Sequence, residues 1–237
     1  MKRHIPNFIT SLNLVSGFLA IVFAGSGDII TASWLILAAM IFDFLDGFAA
    51  RMLKSYSDLG KELDSLADLV SFGVAPALII FSILNDPATV TGVNSGQYGL
   101  LLIMIVSVMP VCAALRLAKF NIDTSQTTGF KGLPTPANGL AVISVVIAEH
   151  YSDSDILAYL TGSVIALLIF TIALSVLMVS RIPLLSLKTK HLKLKGNEGR
   201  YMLVLMVGVP LLIWGIAAAP IIIPVYIFVS VISLILF

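Results

Sequence analysis

Long apolar runs separated by short polar breaks dominate the chain, at 8–24, 29–50, 66–84, 98–117, 136–150, 156–179, 201–218 and 220–237. Each comes near the ~20 residues that a helix needs to cross the hydrocarbon core of a bilayer. The pattern predicts an all-α integral membrane protein with about eight transmembrane helices joined by short loops. The fifth run is short and begins in a stretch rich in Pro and Gly, Gly132-Leu-Pro-Thr-Pro-Ala-Asn-Gly139. The last two runs part only around Ala219-Pro220, which leaves a count of seven open. Lys2, Arg3 and His4 flank the first run as they would a signal peptide. No small-residue cleavage site precedes the second run, and Asn7, Thr10, Ser11 and Asn13 fit a retained helix better. With no repeat of fixed period and no linker, residues 1–237 read as a single membrane domain.

Charge gives these helices a direction. All 14 lysines and arginines fall on one side of the eight-span arrangement. They are Lys2 and Arg3, then Arg51, Lys54 and Lys61, then Arg116, Lys119 and Lys131, then Arg181, Lys188, Lys190, Lys193, Lys195 and Arg200. The opposite loops hold none, but do hold Asp28, Asp86, Asp153 and Asp155. Loops rich in Lys and Arg stay in the cytoplasm, so both termini are expected there, with the protein in a bacterial-type cytoplasmic membrane. The cluster from Lys188 to Lys195 is expected along the cytoplasmic lipid surface, held by anionic headgroups.

Composition narrows the class further. Hydrophobic residues make up 59% of the chain, charged residues 11%, and mean hydropathy is +1.05, which excludes a soluble globular or disordered protein. A net charge of +1 gives no reason to expect a nucleic-acid partner. The single cysteine, Cys112, excludes a disulfide framework and reads as a small buried apolar residue.

Against this background four acids stand out. Asp43 and Asp46 lie at i and i+3 near the cytoplasmic end of the second span. Asp64 and Asp68 lie at i and i+4 at the cytoplasmic start of the third, with the connection expected over 52–63. Each pair shares a helix face, and antiparallel neighbours would bring the two pairs to one depth. A carboxylate in hydrocarbon costs ~2.5–3.5 kcal/mol even on lenient insertion scales, which makes each a functional candidate. Four facing carboxylates repel unless some are protonated or cations sit between them. Oxygen donors select hard divalent ions such as Mg²⁺, Mn²⁺ or Ca²⁺, and two such ions suit phosphoryl transfer. There is no HExxH and no P-loop, and His4, His150 and His191 are scattered as interfacial residues. Gly47 and Gly60, beside the acids, let a ligand or a helix approach the backbone, and Arg51 can pair with a phosphate.

Taken together, Asp43-Phe-Leu-Asp46-Gly47-Phe-Ala-Ala50-Arg51, eight residues, Gly60, three residues, Asp64, three residues and Asp68 resemble the signature of the CDP-alcohol phosphotransferase family. That signature is DxxDGxxAR(x8)GxxxDxxxD, and every fixed position matches. Further segments resemble the branch of the family that uses serine as acceptor. They are Ala114-Leu-Arg116-Leu-Ala-Lys119-Phe-Asn121, Gly132-Leu-Pro134-Thr-Pro136-Ala137, and Met178-Val-Ser180-Arg-Ile-Pro183 with Ser186-Leu-Lys188. Lys119 stands where an arginine is more usual, keeping the charge but not the planar fork. Pro6-Asn7-Phe-Ile-Thr10 looks like the family's amino-terminal motif, and the last two spans match nothing specific.

The resemblance implies a six-helix catalytic core over about 6–190, two additional C-terminal helices over about 201–237, and a homodimer among membrane lipids. It implies two divalent cations, Mg²⁺ or Mn²⁺, with Ca²⁺ an option at one site. Asp43, Asp46 and Asp64 would bind metal, with Asp68 a further ligand and the general base. Asn7, Thr10, Gly47, Ala50, Arg51 and Gly60 would hold the CDP-lipid. Arg116, Lys119 and Lys131 are the candidates for the serine carboxylate. The expected reaction transfers a phosphatidyl group from CDP-diacylglycerol to the L-serine hydroxyl and releases CMP. A sister enzyme with glycerol phosphate or inositol phosphate as acceptor is the nearest alternative, and a divalent-cation or solute transporter the alternative from another class. A transporter is disfavoured because all four acids lie in one hairpin rather than in matching places of two halves.

Overall fold

The computed structural model describes residues 4–86, 95–122, 130–185 and 197–236, with the backbone alone at 95–97, 130, 131 and 234–236. Lys2, Arg3, His191 and the expected lipid-surface cluster Lys188–Lys195 lie outside the described residues. Nearly all of the described chain is helical. In order the helices are α1 (His4–Gly25), α2 (Ile29–Leu53), α3 (Asp58–Asp68), α4 (Ala75–Asn85), α5 (Ser95–Val106), α6 (Val108–Ile122), α7 (Thr135–Tyr151), α8 (Asp155–Gly162), α9 (Val164–Val179), α10 (Glu198–Trp214) and α11 (Ile222–Leu236). Two strands of two residues, β1 (Phe130–Lys131) and β2 (Pro183–Leu184), pair antiparallel.

Among the described residues, five helical stretches are long and apolar enough to cross a membrane by length and composition, or six if α8 and α9, bent by 87° at their junction, form one span. One of the five, Glu198–Ser233, is not a single rod. Gly215 takes φ +58°, and a short 3-10 turn over Gly215–Ile221 follows it. A Cβ on Gly199 would lie 2.6 Å from Ser233 Oγ, so the start of α10 meets the end of α11 and the chain has reversed. The predicted break near Ala219-Pro220 is that turn. The fifth run is the 17-residue α7, short but at the centre of the bundle. It is buried continuously from Ala141 to Ala148, and a helix apolar on all sides belongs inside.

The sequence placed the start of the third span too late. Helix α2 continues to Leu53, and α3 begins at Asp58, so the link is only 54–57. Lys54 closes α2 in a left-handed conformation at φ 49°, and the Ser57 hydroxyl accepts the Gly60 N–H to start α3. The α3 sequence is too polar to register as an apolar run, which hid it. From Leu69 to Val74 the helix runs as a π-helix before α4 takes over. At the other end of α2, Asp28 caps the helix by accepting the Thr31 N–H at 3.0 Å, which holds its carboxyl below the usual range. Cys112 is free and buried, as expected of a small apolar filler.

Candidate active site

Helix α1 is the spine of the site. It packs along both α2 and α3, and its polar residues Asn7, Thr10 and Asn13 recur every third position. That spacing lays them along one face. The Thr10 hydroxyl donates to Asp46 Oδ2 at 2.6 Å. The Asn13 amide donates to Asp68 Oδ1 at 3.4 Å. One turn on, Gly17 lets the π-helical segment come close: a Cβ there would stand 2.2 Å from Ser71 Oγ and 2.8 Å from Ser71 Cα. The Ser71 hydroxyl uses this approach to reach the Asn13 carbonyl at 3.1 Å. From α7, the Asn138 amide donates to the Phe72 carbonyl at 2.8 Å, a polar tie into the same π segment. Irregular helix of this kind is common at functional sites because it leaves backbone groups for other partners.

The acids divide three and one. Asp43, Asp64 and Asp68 each place a carboxylate oxygen within 4.8 Å of the others, and could hold a metal ion together. Asp46 is not in that group, and its Oδ2 is taken by Thr10. The donor set fits a hard divalent ion: all oxygen, negatively charged, and two of the three only partly buried. Asp64 Oδ1 is buried without any hydrogen-bond partner. Leaving such an atom unpaired is costly, and a cation would satisfy it.

Beside this cluster lies a cavity of about 220 Å³ between the starts of α1 and α3 and the end of α2. Its lining includes Asn7, Thr10, Gly47, Ala50, Arg51 and Gly60, every residue assigned to the CDP-lipid from the sequence, together with Asp46 and Asp64. Gly60 is the tight position of the two glycines. A Cβ on Gly60 would come 3.0 Å from Asn7 Oδ1, and one on Gly47 would come 3.7 Å from Arg51 Nη1. Ser55, Tyr56, Ser57 and Lys61 also line it. Lys61 is tethered across to α6, its ammonium donating to the Asn121 carbonyl at 2.9 Å.

On the other side of Asp68 stands Arg116 of α6, buried despite its charge. Thr135, at the start of α7, joins them: its hydroxyl is 3.5 Å from Asp68 Oδ2 and accepts from Arg116 Nη1 at 3.4 Å. Arg116 Nε is buried with no partner. Of the other cations assigned to serine, Lys119 is exposed, one turn beyond Arg116, and Lys131 is placed by its backbone alone, on β1.

The separate branch segments meet in space. Gly132, at φ +79°, follows β1 and lies against the end of α9, where a Cβ would strike the carbonyls of Met178 and Ser180 at 2.5 and 2.8 Å. Its N–H donates to the Ile182 carbonyl, and the Leu133 N–H to the Leu177 carbonyl, each at 2.9 Å. Only glycine meets both the left-handed backbone and the close approach. The two motifs thus form one support that carries Thr135. Asn13, Thr135 and Asn138 were not nominated from the sequence. The available signals were the three-residue period in α1 and the place of Thr135 and Asn138 within or beside the Gly132–Ala137 motif.

Comparison with known proteins agrees with this geometry. A family model described as CDP-alcohol phosphatidyltransferase matches residues 3–234. A CDP-diacylglycerol–serine O-phosphatidyltransferase of Bacillus subtilis is 38% identical over 199 residues, which cover 84% of this chain and 99% of the relative. One of Helicobacter pylori is 34% identical over 206 residues, covering 85% and 78%. An archaetidylserine synthase of Methanothermobacter thermautotrophicus is 33% identical over 180 residues, covering 75% and 68%. A match along almost the whole chain, with the signature residues gathered about one acidic cluster, shows that the chain belongs to the CDP-alcohol phosphatidyltransferase family.

Proposed function

We propose that the protein transfers the phosphatidyl group of CDP-diacylglycerol to the hydroxyl of L-serine, giving phosphatidylserine and CMP. The observation that carries this reading is the placement of Asp68 between two differently built halves, the recess lined by Gly47, Ala50, Arg51 and Gly60 and the buried Arg116–Thr135 pair. The relatives named for serine transfer support the choice of acceptor.

On the donor side, Gly47, Ala50 and Gly60 leave space for the cytidine diphosphate, Asn7 and Thr10 offer hydrogen bonds, and Arg51 pairs with its phosphates. Asp43, Asp64 and Asp68 would hold divalent cations, Mg²⁺ or Mn²⁺ with Ca²⁺ an option at one site, and Asp46 would complete the second position. Bound there, such cations would supply positive charge to offset the diphosphate and the charge developing on departing CMP. Asp68 takes the proton of the serine hydroxyl as that oxygen attacks the β-phosphorus. The new bond joins serine oxygen to phosphorus, and the bond that breaks joins phosphorus to CMP. Arg116, with Lys119 and Lys131 beyond it, draws in the serine carboxylate.

The same reading places eight spans in the membrane, with α10 and α11 crossing separately and α8–α9 as one broken crossing. Both termini and the site face the cytoplasm, the core is about 6–190, and two copies pair as a homodimer. Distributing the lysines and arginines to one side supports the orientation. The test is to incubate the purified protein with CDP-diacylglycerol, Mg²⁺ or Mn²⁺ and each of serine, glycerol phosphate and inositol phosphate, and to measure CMP. Release with serine alone is expected; release only with a phosphorylated alcohol would overturn the serine assignment.

A further inference from the structure

The hairpin of α10 and α11 plays no part in the chemistry just described, yet α11 grips the backbone that leads into the site. Tyr226 and Ser230 stand one turn apart on α11, and both are buried. The Tyr226 hydroxyl donates to the Leu185 carbonyl at 3.0 Å, and the Leu185 N–H donates to Ser230 Oγ at 3.1 Å. Ser230 donates its own proton to the Tyr226 carbonyl at 2.6 Å, which leaves its lone pairs for Leu185. Two side chains of a helix thus satisfy both backbone groups of one residue, as a neighbouring strand would.

Leu185 directly follows β2, whose Leu184 and Pro183 pair with Phe130 and Lys131 of β1. Gly132 continues the pairing to Ile182, and three residues later stands Thr135, against Asp68 and Arg116. A ribbon of two residues per strand is too short to hold itself, and Pro183 has no N–H to contribute. The end of α9 supports the ribbon at Gly132 and Leu133, and α11 adds a second support at Leu185.

We infer that Tyr226 and Ser230 are positioning residues for the acceptor half of the site: by fixing Leu185 they hold the β1–β2 ribbon, and through it set Thr135 against Asp68 and Arg116. This gives the C-terminal hairpin a role in the reaction, and it rests on Arg116 and Asp68 being acceptor-side groups.

The test uses the full-length protein with Tyr226→Phe and Ser230→Ala combined, and CMP release with each substrate varied in turn. The acceptor KM should rise about tenfold, the order expected from losing such hydrogen bonds, while the CDP-diacylglycerol KM stays within about twofold. Ser230→Thr, which keeps the hydroxyl, should behave as wild type. Tyr226 also lies close enough to Arg116 to act on it directly, so the additivity arm uses Ser230→Ala alone: in a Thr135→Ala background it should add little, because its effect passes through Leu185 and Thr135. Amide exchange over 130–136 should quicken in the paired variant while that over 8–50 does not change. Equal rises in both KM values, full additivity with Thr135→Ala, or unchanged exchange at 130–136 would each overturn the inference. A wild-type protein that releases CMP only with another acceptor would instead overturn the serine reading, and the same measurements would then be made with that acceptor.

Discussion

The Thr10 hydroxyl sits 2.6 Å from Asp46 Oδ2, and Asp46 lies beside, not within, the trio of acids whose oxygens gather within 4.8 Å. A short hydrogen bond to a carboxylate is among the stronger neutral-to-charged kinds. It fixes Asp46 toward the cavity that Gly47, Ala50 and Arg51 line. Thr10→Val, which keeps the shape and removes the donor, should raise the KM for CDP-diacylglycerol about tenfold and leave that for serine nearly unchanged. Thr10→Ser should restore the wild-type value. Parallel loss in both substrates would mean that Thr10 supports the whole bundle.

Metal removal is the most direct check on the acidic cluster. With Asp43, Asp64 and Asp68 offering oxygens within 4.8 Å of one another, chelation should abolish CMP release, and added Mn²⁺ or Mg²⁺ should restore it. Full turnover in excess chelator would remove metals from the reaction.

Asp68 should separate binding from chemistry. Asn13 and Thr135 hold its two oxygens, so Asp68→Asn keeps the size and an oxygen but loses the proton acceptor. Its kcat should fall by ~10²–10⁴ while CDP-diacylglycerol still binds. Asp43→Asn should weaken metal and nucleotide binding as well. Direct attack further requires inversion at a chiral β-phosphorus. Retention, or a lipid trapped covalently on an aspartate, would make that residue a nucleophile.

Arg116→Ala should raise the serine KM more than the lipid KM, because its buried guanidinium faces Thr135 and away from the Arg51 cavity. Steady-state kinetics with each substrate varied would show it. Arg116→Lys should rescue only in part, since an ammonium cannot reproduce the planar fork.

A purely mechanical prediction concerns Gly17. With Ser71 Cα 2.8 Å from the place of a new Cβ, Gly17→Ala must push α1 away from the π segment. A stability loss of about 1–3 kcal/mol is expected, seen as a lower midpoint in thermal unfolding of the detergent-solubilised protein. An unchanged midpoint would mean that this contact yields freely.

The sequence made the aspartates and the cavity residues legible because charge and glycine are conspicuous in an apolar chain. Asp43, Asp64 and Asp68 do converge, and Asn7, Thr10, Gly47, Ala50, Arg51 and Gly60 do line one recess. The hold of Thr10 on Asp46 was not legible, because it depends on which α1 side chain reaches the carboxylate. Asn13 and Thr135 escaped for a related reason: a lone amide or hydroxyl in a span also serves as a helix-packing contact, and only three-dimensional proximity to Asp68 tells the two apart. Polarity in α3 hid its first two turns from a hydropathy reading. The reversal in Glu198–Ser233 was visible only as Pro220, whereas Gly215 at φ +58° makes the turn.

The π-helical stretch after Asp68 works as a phase adjuster. An α-helix advances about 100° per residue, so the angular relation between two points on it is set by the residue count between them. The wider turn over Leu69–Val74 inserts an offset. Upstream, Asp64 and Asp68 converge with Asp43; downstream, Ile79, Ile80 and Ile83 are buried in the core, without either half twisting the other out of place. Shortening this stretch by one residue would keep every aspartate in the sequence and still turn the carboxylates away from their partners, so chain length here carries as much information as side-chain identity.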